Sequence, residues 1–373
     1  MKITVSKSEL FTKLSAIGKI INSKNFLPAY DNFMFVVDED GILKVTAGEE
    51  GGRLSTNIEC ETDCACLSML IDAKTILEGL REIPEQPISI EIVAMETNYA
   101  ISVHYSNGRF ELVGKKADEY PTMEVKNPEP CFSLDAESFL NGIRQVQICC
   151  ANDELRPIMN GVFIEKTSDR ITYVATDGHS LGMIDSAYDS KERSSFILHA
   201  RMSKILSKII PATASSVIIT VGSGSVNIEF GGYTMICRLV EGRFPNYRAV
   251  IPSDNDKIAR FEKNEMISAL KRVSVFSSLC TSLIVLKFDK DNVVTITGRD
   301  IDFSTSAEEK VSVSYSGSPI EIGFKSSILI DLLSNIPSDE VIMSMKHPTK
   351  ATIINRTDKN DLTYLIMPLV INN

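Results

Sequence analysis

Apolar residues recur along the chain in two alternating patterns, and both patterns repeat. Residues 71–84, 198–211 and 322–337 place apolar side chains at helical spacing, and each stretch stops at Ile-Pro. Proline has no amide to continue a helix and biases the residue before it toward extended backbone, so each Ile-Pro marks a helix end. The closing prolines, at 84, 211 and 337, are 127 and 126 residues apart. A second set of helices carries apolar stripes at Leu10, Leu14 and Ile17, at Leu140, Ile143 and Val146, and at Ile267, Leu270 and Val273. Leu14, Ile143 and Leu270 are 129 and 127 residues apart. Between the helices lie β-rich runs split by polar turns: 32–37 and 42–47 across Asp38-Glu39-Asp40-Gly41, 217–221 and 226–230 across Gly222-Ser-Gly-Ser, and 283–288 and 293–297 across Asp289-Lys-Asp-Asn. The Gly-x-Gly of the middle turn joins two strands and opens no helix, so it is not a dinucleotide loop.

A third marker has the same period. The connector Arg238-Leu-Val-Glu-Gly-Arg-Phe-Pro-Asn-Tyr-Arg-Ala-Val-Ile-Pro252 carries an aromatic residue before proline. Weaker echoes stand at Glu119-Tyr120-Pro121 and Ile366-Met367-Pro368, placing the prolines 124 and 123 residues apart. One unit of strands plus two helices is therefore used three times, with expected domains at 1–124, 125–250 and 251–373. The helices do not alternate one for one with strands, so the class is α+β and not a doubly wound parallel sheet.

At 373 residues the chain is long enough for two or three cores. It has no apolar run of membrane-spanning length, and its start enters a strand-then-helix pattern in place of a signal peptide. A cytoplasmic protein with reduced thiols is expected. Cys60, Cys64 and Cys66 have no zinc-like spacing and no histidine nearby, so they read as small buried hydrophobes. Thr176-Asp177-Gly178-His179 could suggest acid–base or metal chemistry, but the other histidines (104, 199, 347) are scattered and no converging cluster accompanies it.

The net charge of −10 argues against a nucleic-acid partner until its distribution is considered. Residues 2–24, 72–82, 134–148, 197–211, 257–273 and 324–337 carry formal charges of +4, −1, −1, +3, +3 and 0, a net +8 that leaves −18 for the remainder. Basic helices in an acidic body suit a positive surface that attracts a polyanion locally, although solvated helix faces would show the same bias. A unit of this size has a radius of gyration near ~14 Å, hence a sphere of roughly 18 Å radius. Three such spheres in a triangle leave a hole about 5 Å wide, and six in a hexagon roughly 35 Å. A duplex of about 20 Å therefore fits a head-to-tail dimer and not a single chain. A protein-only scaffold without DNA is the alternative, and a salt-dependent DNA interaction separates the two.

The chain resembles the bacterial sliding clamp, the β subunit of the DNA polymerase III holoenzyme, along its whole length. Val174-Ala-Thr-Asp-Gly-His-Ser-Leu181, Glu241-Gly-Arg-Phe-Pro-Asn-Tyr-Arg248, the tail Tyr364-Leu-Ile-Met-Pro-Leu369 and the threefold repeat carry the likeness. The resemblance implies three DNA-clamp domains per chain, each with two helices packed on β-sheets, and six domains in a dimeric ring. It implies a non-catalytic processivity factor with no cofactor and no metal. Its partners would be double-stranded DNA, the polymerase III alpha subunit, an ATP-driven clamp loader (the chain has no P-loop of its own), repair polymerases, ligase and mismatch-repair factors. The implied peptide pocket comprises Met159, Thr176, Gly178, His179, Leu181, Pro245, Val250, Ala351, Ile366, Met367, Pro368 and Leu369. Without the resemblance, His179 reads as a turn histidine and Met367-Pro368 as a strand end. The implied DNA contacts are Lys24, Lys74, Asn152, Arg156 and Arg201. Phe110 and Phe276 are the expected apolar anchors of the homodimer. Many family members have arginine where this chain has Ser180, Ala249 and Val370, and its tail runs on through Ile371-Asn372-Asn373, which shifts the expected peptide preference toward hydrophobic anchors.

Overall fold

The computed structural model describes residues 1–22, 24–38, 40–63, 66–153, 155–190 and 192–371. Cys64 of the cysteine trio and Asn372-Asn373 of the tail lie outside them. Of the other two, Cys60 is only half-buried and Cys66 is exposed at a positive-φ position, so these thiols are not the buried hydrophobes expected. Six helices were expected and six α-helices are described: α1 (Lys7–Ile17), α2 (Ala73–Arg81), α3 (Ala136–Val146), α4 (Ala200–Ile209), α5 (Lys263–Ser274) and α6 (Ser326–Asn335). All nine residues of the expected apolar stripes on α1, α3 and α5 are buried.

The Ile-Pro stretches begin differently from their periodicity. Residues 71–72, 198–199 and 322–325 are strand, and the helix starts only afterwards. Asp72 explains the first case. Its extended backbone holds the end of the strand, while its carboxylate accepts from the Thr75 amide at 2.8 Å and caps α2. Ser6 caps α1 by accepting from the Glu9 amide at 3.3 Å, and Glu262 caps α5 by accepting from Asn264 and Glu265. The strand-to-helix junction is thus tight, with no loop between them.

The chain separates into two compact units, Met1–Leu140 with Lys204–Leu239, and Asn141–Ser203 with Val240–Asn373. The division falls within α3 and α4 and splits the middle repeat, because strand ladders run between repeats. In the first unit a thirteen-stranded antiparallel sheet includes the pairing of Tyr233–Arg238 with Gly52–Ile58. In the second, a nine-stranded sheet includes the pairing of Ser180–Ala187 with Leu362–Ile366. A four-stranded sheet in the order Thr305–Ser312, Val293–Asp300, Leu283–Phe288, Ile320–Lys325 completes the second unit.

The Tyr120-Pro121 echo has a structural anchor of its own. The Arg53 guanidinium, buried in the first unit, donates to Pro121 O at 3.0 Å, to Gly52 O at 2.8 Å, to Glu49 O and to the Tyr30 hydroxyl. It lies 4.4 Å from the Tyr30 ring centroid, and Tyr30 meets Tyr120 edge to face at 5.9 Å. Burial pushes the Tyr120 phenol well above its usual range, which keeps it neutral. Arg53→Met is expected to leave three carbonyls short of a donor and to lower stability by roughly 2–4 kcal/mol, measured by urea unfolding of the whole chain. A loss within a few tenths of a kcal/mol would show that water replaces the guanidinium.

Candidate functional site: an apolar cradle on the second sheet

The cradle is one face of the nine-stranded sheet. Antiparallel pairing sets Thr176 opposite Leu181, Leu181 opposite Leu365, and Leu365 opposite Ile353. One row along, Ile197, Phe163, Val174 and Met183 are paired in the same way. Side chains two residues apart on a strand share a face, so these two rows form a continuous floor. Val174, Leu181, Ile197, Ala351, Ile353 and Leu365 are buried in one cluster with Phe244 and Tyr247 of the connector. Phe244 stacks on Phe163 with centroids 4.8 Å apart and planes 6° from parallel. Each such floor side chain contributes on the order of 2 kcal/mol by its burial.

The connector is held down by polar contacts at its far end. The Tyr247 hydroxyl donates to Glu165 Oε2 at 2.7 Å, and Arg248 reaches the same oxygen at 3.3 Å. Burial, with the Glu165 carboxylate next in effect, pushes the Tyr247 phenol well above its usual range and keeps it a donor. Gly242 takes a positive φ of 123°, a region open to glycine, where the connector leaves the sheet.

The rim at the other end is the turn Asp177-Gly178-His179. Asp177 Oδ1 accepts from the His179 amide at 2.8 Å, the Ser180 amide at 2.6 Å and the Ser180 hydroxyl at 3.1 Å. Thr176 donates its hydroxyl to Ser180 O at 2.7 Å, and Gly178 supplies φ +87°. His179 O then accepts the Met367 amide at 2.8 Å, tying the tail to the turn. Asp177 is therefore a turn-builder, its Oδ1 engaged by three donors of its own turn.

The structure gathers many of the expected pocket residues and separates others. Leu181 and Ala351 lie in the floor. Thr176 shares its face, Gly178 and His179 form the turn, and Met367 lies two residues beyond Leu365 on the same side. Met159 and Pro245 are half-buried beside cluster members Ile158 and Phe244, and Val250 beside Ile251 is 57% exposed. Pro368 and Leu369 continue the half-buried tail. Ile366 is buried but paired with Ser180 and Thr352, which puts it on the opposite face of the sheet from Leu365. Ser180 is on that hidden face too, whereas Ala249 and Val370 are exposed. Of the floor residues that sequence reasoning missed, Val174, Phe244, Tyr247 and Leu365 sit inside the motifs 174–181, 241–248 and 364–369, whereas Phe163, Met183, Ile197 and Ile353 lie outside them. Alternation along 170–176 and 180–187 was the available signal.

Among the residues expected on DNA, Lys24, Lys74 and Asn152 are exposed. Arg156 is bonded to Asp153 Oδ2 at 2.8 Å, and its Nη1 lies 2.9 Å from where a side chain on Gly178 would begin, so it stands against the cradle's turn. The Arg201 amide donates to His199 Nδ1 at 3.1 Å at the start of α4. Several helix cations are already engaged: Lys13 on Asn57 O, Lys19 on Lys208 O, Lys263 on Ile336 O and Arg272 on Glu309. Phe110 packs its ring 3.1 Å from the position of a Gly79 Cβ on α2 and is half-buried in its own chain. Phe276 is exposed beside Val275 and Leu279. Among the described residues no group of His, Cys, Asp and Glu is placed to hold a metal, and no helix is long and apolar enough to cross a membrane.

This α+β architecture is that of a DNA clamp. It superposes on a DnaN sliding clamp from Pseudomonas aeruginosa solved with griselimycin, with a TM-score of 0.92, 24% identity and full coverage of both chains. The DNA polymerase III beta subunit of Thermotoga maritima is also similar, with a TM-score of 0.91 at 22% identity and full coverage of both. Models of the N-terminal, central and C-terminal domains of the DNA polymerase III beta subunit match residues 1–124, 133–246 and 248–370. The chain belongs to that family. A relative from Vibrio cholerae, named beta sliding clamp, is 26% identical over 370 residues that span 99% of this chain and all of that one.

Asp177→Ala removes three acceptor contacts and is expected to destabilise the protein by about 1–2 kcal/mol in thermal unfolding. Asp177→Asn keeps an acceptor oxygen and should lose under half of that. Equal losses would mean that the carboxylate charge, and not the turn geometry, matters.

Proposed function

We propose that the chain is the processivity clamp of a replicative polymerase, and that partners dock on the cradle through short extended peptides with hydrophobic anchors. Two copies joined head to tail close around duplex DNA, so that retention is topological and the contacts to phosphate are non-specific. What carries the peptide reading is a buried apolar floor next to exposed apolar side chains. Val250 is 57% exposed and Met367 40% exposed beside floor residues that are almost wholly buried. Exposed apolar side chains beside a buried apolar cluster are what a partner covers.

The occupants expected first are the polymerase III alpha subunit and the clamp loader. Repair polymerases, ligase and mismatch-repair factors would share the same slot. Arg156, beside the Gly178 turn, supplies a guanidinium to a pocket that has Ser180, Ala249 and Val370 where many relatives have arginine. It suits a peptide carboxylate or carbonyl. Lys24, Lys74, Asn152 and Arg201 are assigned to DNA, and Phe110 and Phe276 to the contact between copies. The domains are taken as 1–124, 125–250 and 251–373. The role is that of a non-catalytic accessory subunit working in the cytoplasm without a cofactor.

Val250→Glu and Met367→Glu place a charge on exposed rim positions, where folding stability should change by no more than about 0.5 kcal/mol. Fluorescence anisotropy with a labelled peptide from the cognate alpha subunit should show binding weakened about tenfold or more by each. In parallel, both variants should shorten the products that the polymerase extends from a primed circle. Full-strength peptide binding by both would remove the cradle from consideration as the docking site.

A further inference from the structure

The tail that carries Met367 and Pro368 is held at two points. One is the Met367 amide on His179 O. The other is an isolated antiparallel bridge in which the Leu369 amide donates to Gly323 O at 2.8 Å. Pro368, between them, has no amide to give, so these two bonds set where the segment runs. Gly323 lies on strand Ile320–Lys325, which pairs with Leu283–Phe288 on its other side and is an edge of the four-stranded sheet. The tail covers part of that edge, which would otherwise present unpaired backbone groups. Its side chains alternate as in a strand: Leu369 and Ile371 are half-buried, and Val370 between them is exposed.

Gly323 is not needed for a left-handed backbone, since the positive-φ glycines of the second unit are Gly178, Gly242 and Gly317. Its reason is space. A Cβ at 323 would lie 2.8 Å from Leu283 Cδ1, 3.0 Å from Leu369 O and 3.2 Å from Ile371 Cγ1. The Leu283 methyl is the end of a flexible side chain and can rotate away. The Leu369 carbonyl is backbone, so it can retreat only if the tail moves with it.

We propose that Gly323 is a positioning residue for peptide binding, acting through the tail; this rests on reading the cradle as the peptide site. The bare backbone at 323 lets Leu369 dock on the sheet edge, and that docking holds Met367 and Pro368 upright as the slot's outer wall. A side chain at 323 lifts Leu369, and the wall tilts away from the Leu181–Leu365 floor. The occupant is unchanged, an extended peptide with hydrophobic anchors, but it meets a wider and wetter slot.

Gly323→Ala and Gly323→Val test this, since neither alters any residue assigned to the pocket. Three measurements are compared with the unaltered protein: hydrogen exchange at the Leu369 amide, thermal unfolding, and anisotropy with the labelled alpha-subunit peptide. The expected result is a graded loss of Leu369 protection, Val beyond Ala, accompanied by peptide binding about fivefold weaker in the Val variant. If the Val variant does not fold, the Ala variant carries the same comparison. Lost protection with unchanged affinity would overturn the proposal, and so would full protection in the Val variant. Failure of the unaltered protein to bind the peptide would overturn the peptide-site reading itself, whatever the exchange data show.

Discussion

The antiparallel pairing of Ser180–Ala187 with Leu362–Ile366 is the constraint on which the rest of the site depends. It joins a strand of the middle repeat to the last strand of the chain, segments about 180 residues apart in sequence. Its register sets Leu181 against Leu365 and Ser180 against Ile366. A slip of one residue would turn Leu365 to the hidden face and bring Ile366 up, exchanging the two faces of the whole strand. The Asp177 turn and the Met367 amide bond lock the end of this ladder, so the register and the rim are fixed together. The connector then closes on the floor with Phe244 and Tyr247, held by Glu165 from the same sheet.

Much of this was legible in the sequence, and the parts that were not share a physical reason. The stripes of α1, α3 and α5, the three hairpins and the Ile-Pro helix ends were all visible, because each is written in neighbouring residues. The starts of α2, α4 and α6 were not, since Ile71, Leu198 and Ile322 satisfy helical spacing while lying in strands that feed straight into the helix. Pairings between distant strands, such as 233–237 with 52–56, leave no local mark, and they are what divides the chain into two compact units where three repeats were read. At the site, motif resemblance located the turn and the tail. It did not separate Leu365 from Ile366, which only the pleat distinguishes, and it gave no sign that the Arg156 guanidinium, expected on DNA, stands at the cradle's turn.

Charge segregation also reads differently once partners are known. The helices carry a positive excess, but Lys13, Lys19 and Lys263 hold backbone carbonyls and Arg272 holds Glu309. These cations keep their charge and lose freedom to follow a phosphate. Their contribution to a polyanion is a steady field, while exposed residues such as Lys24 and Lys74 can make direct contacts. Such a surface suits weak, sequence-independent attraction, which is what sliding requires, and leaves lasting attachment to topology.

Attachment by topology is therefore the claim to test most directly. The protein would be loaded on a nicked plasmid circle with its cognate loader and ATP, and its retention followed before and after the circle is linearised, in high salt. The account predicts that it stays on the circle and is lost from the linear form, because a closed ring leaves only over an end. Equal retention on both forms would mean ordinary surface binding and would contradict the account. So would failure to be retained on the circle with a loader shown to be active.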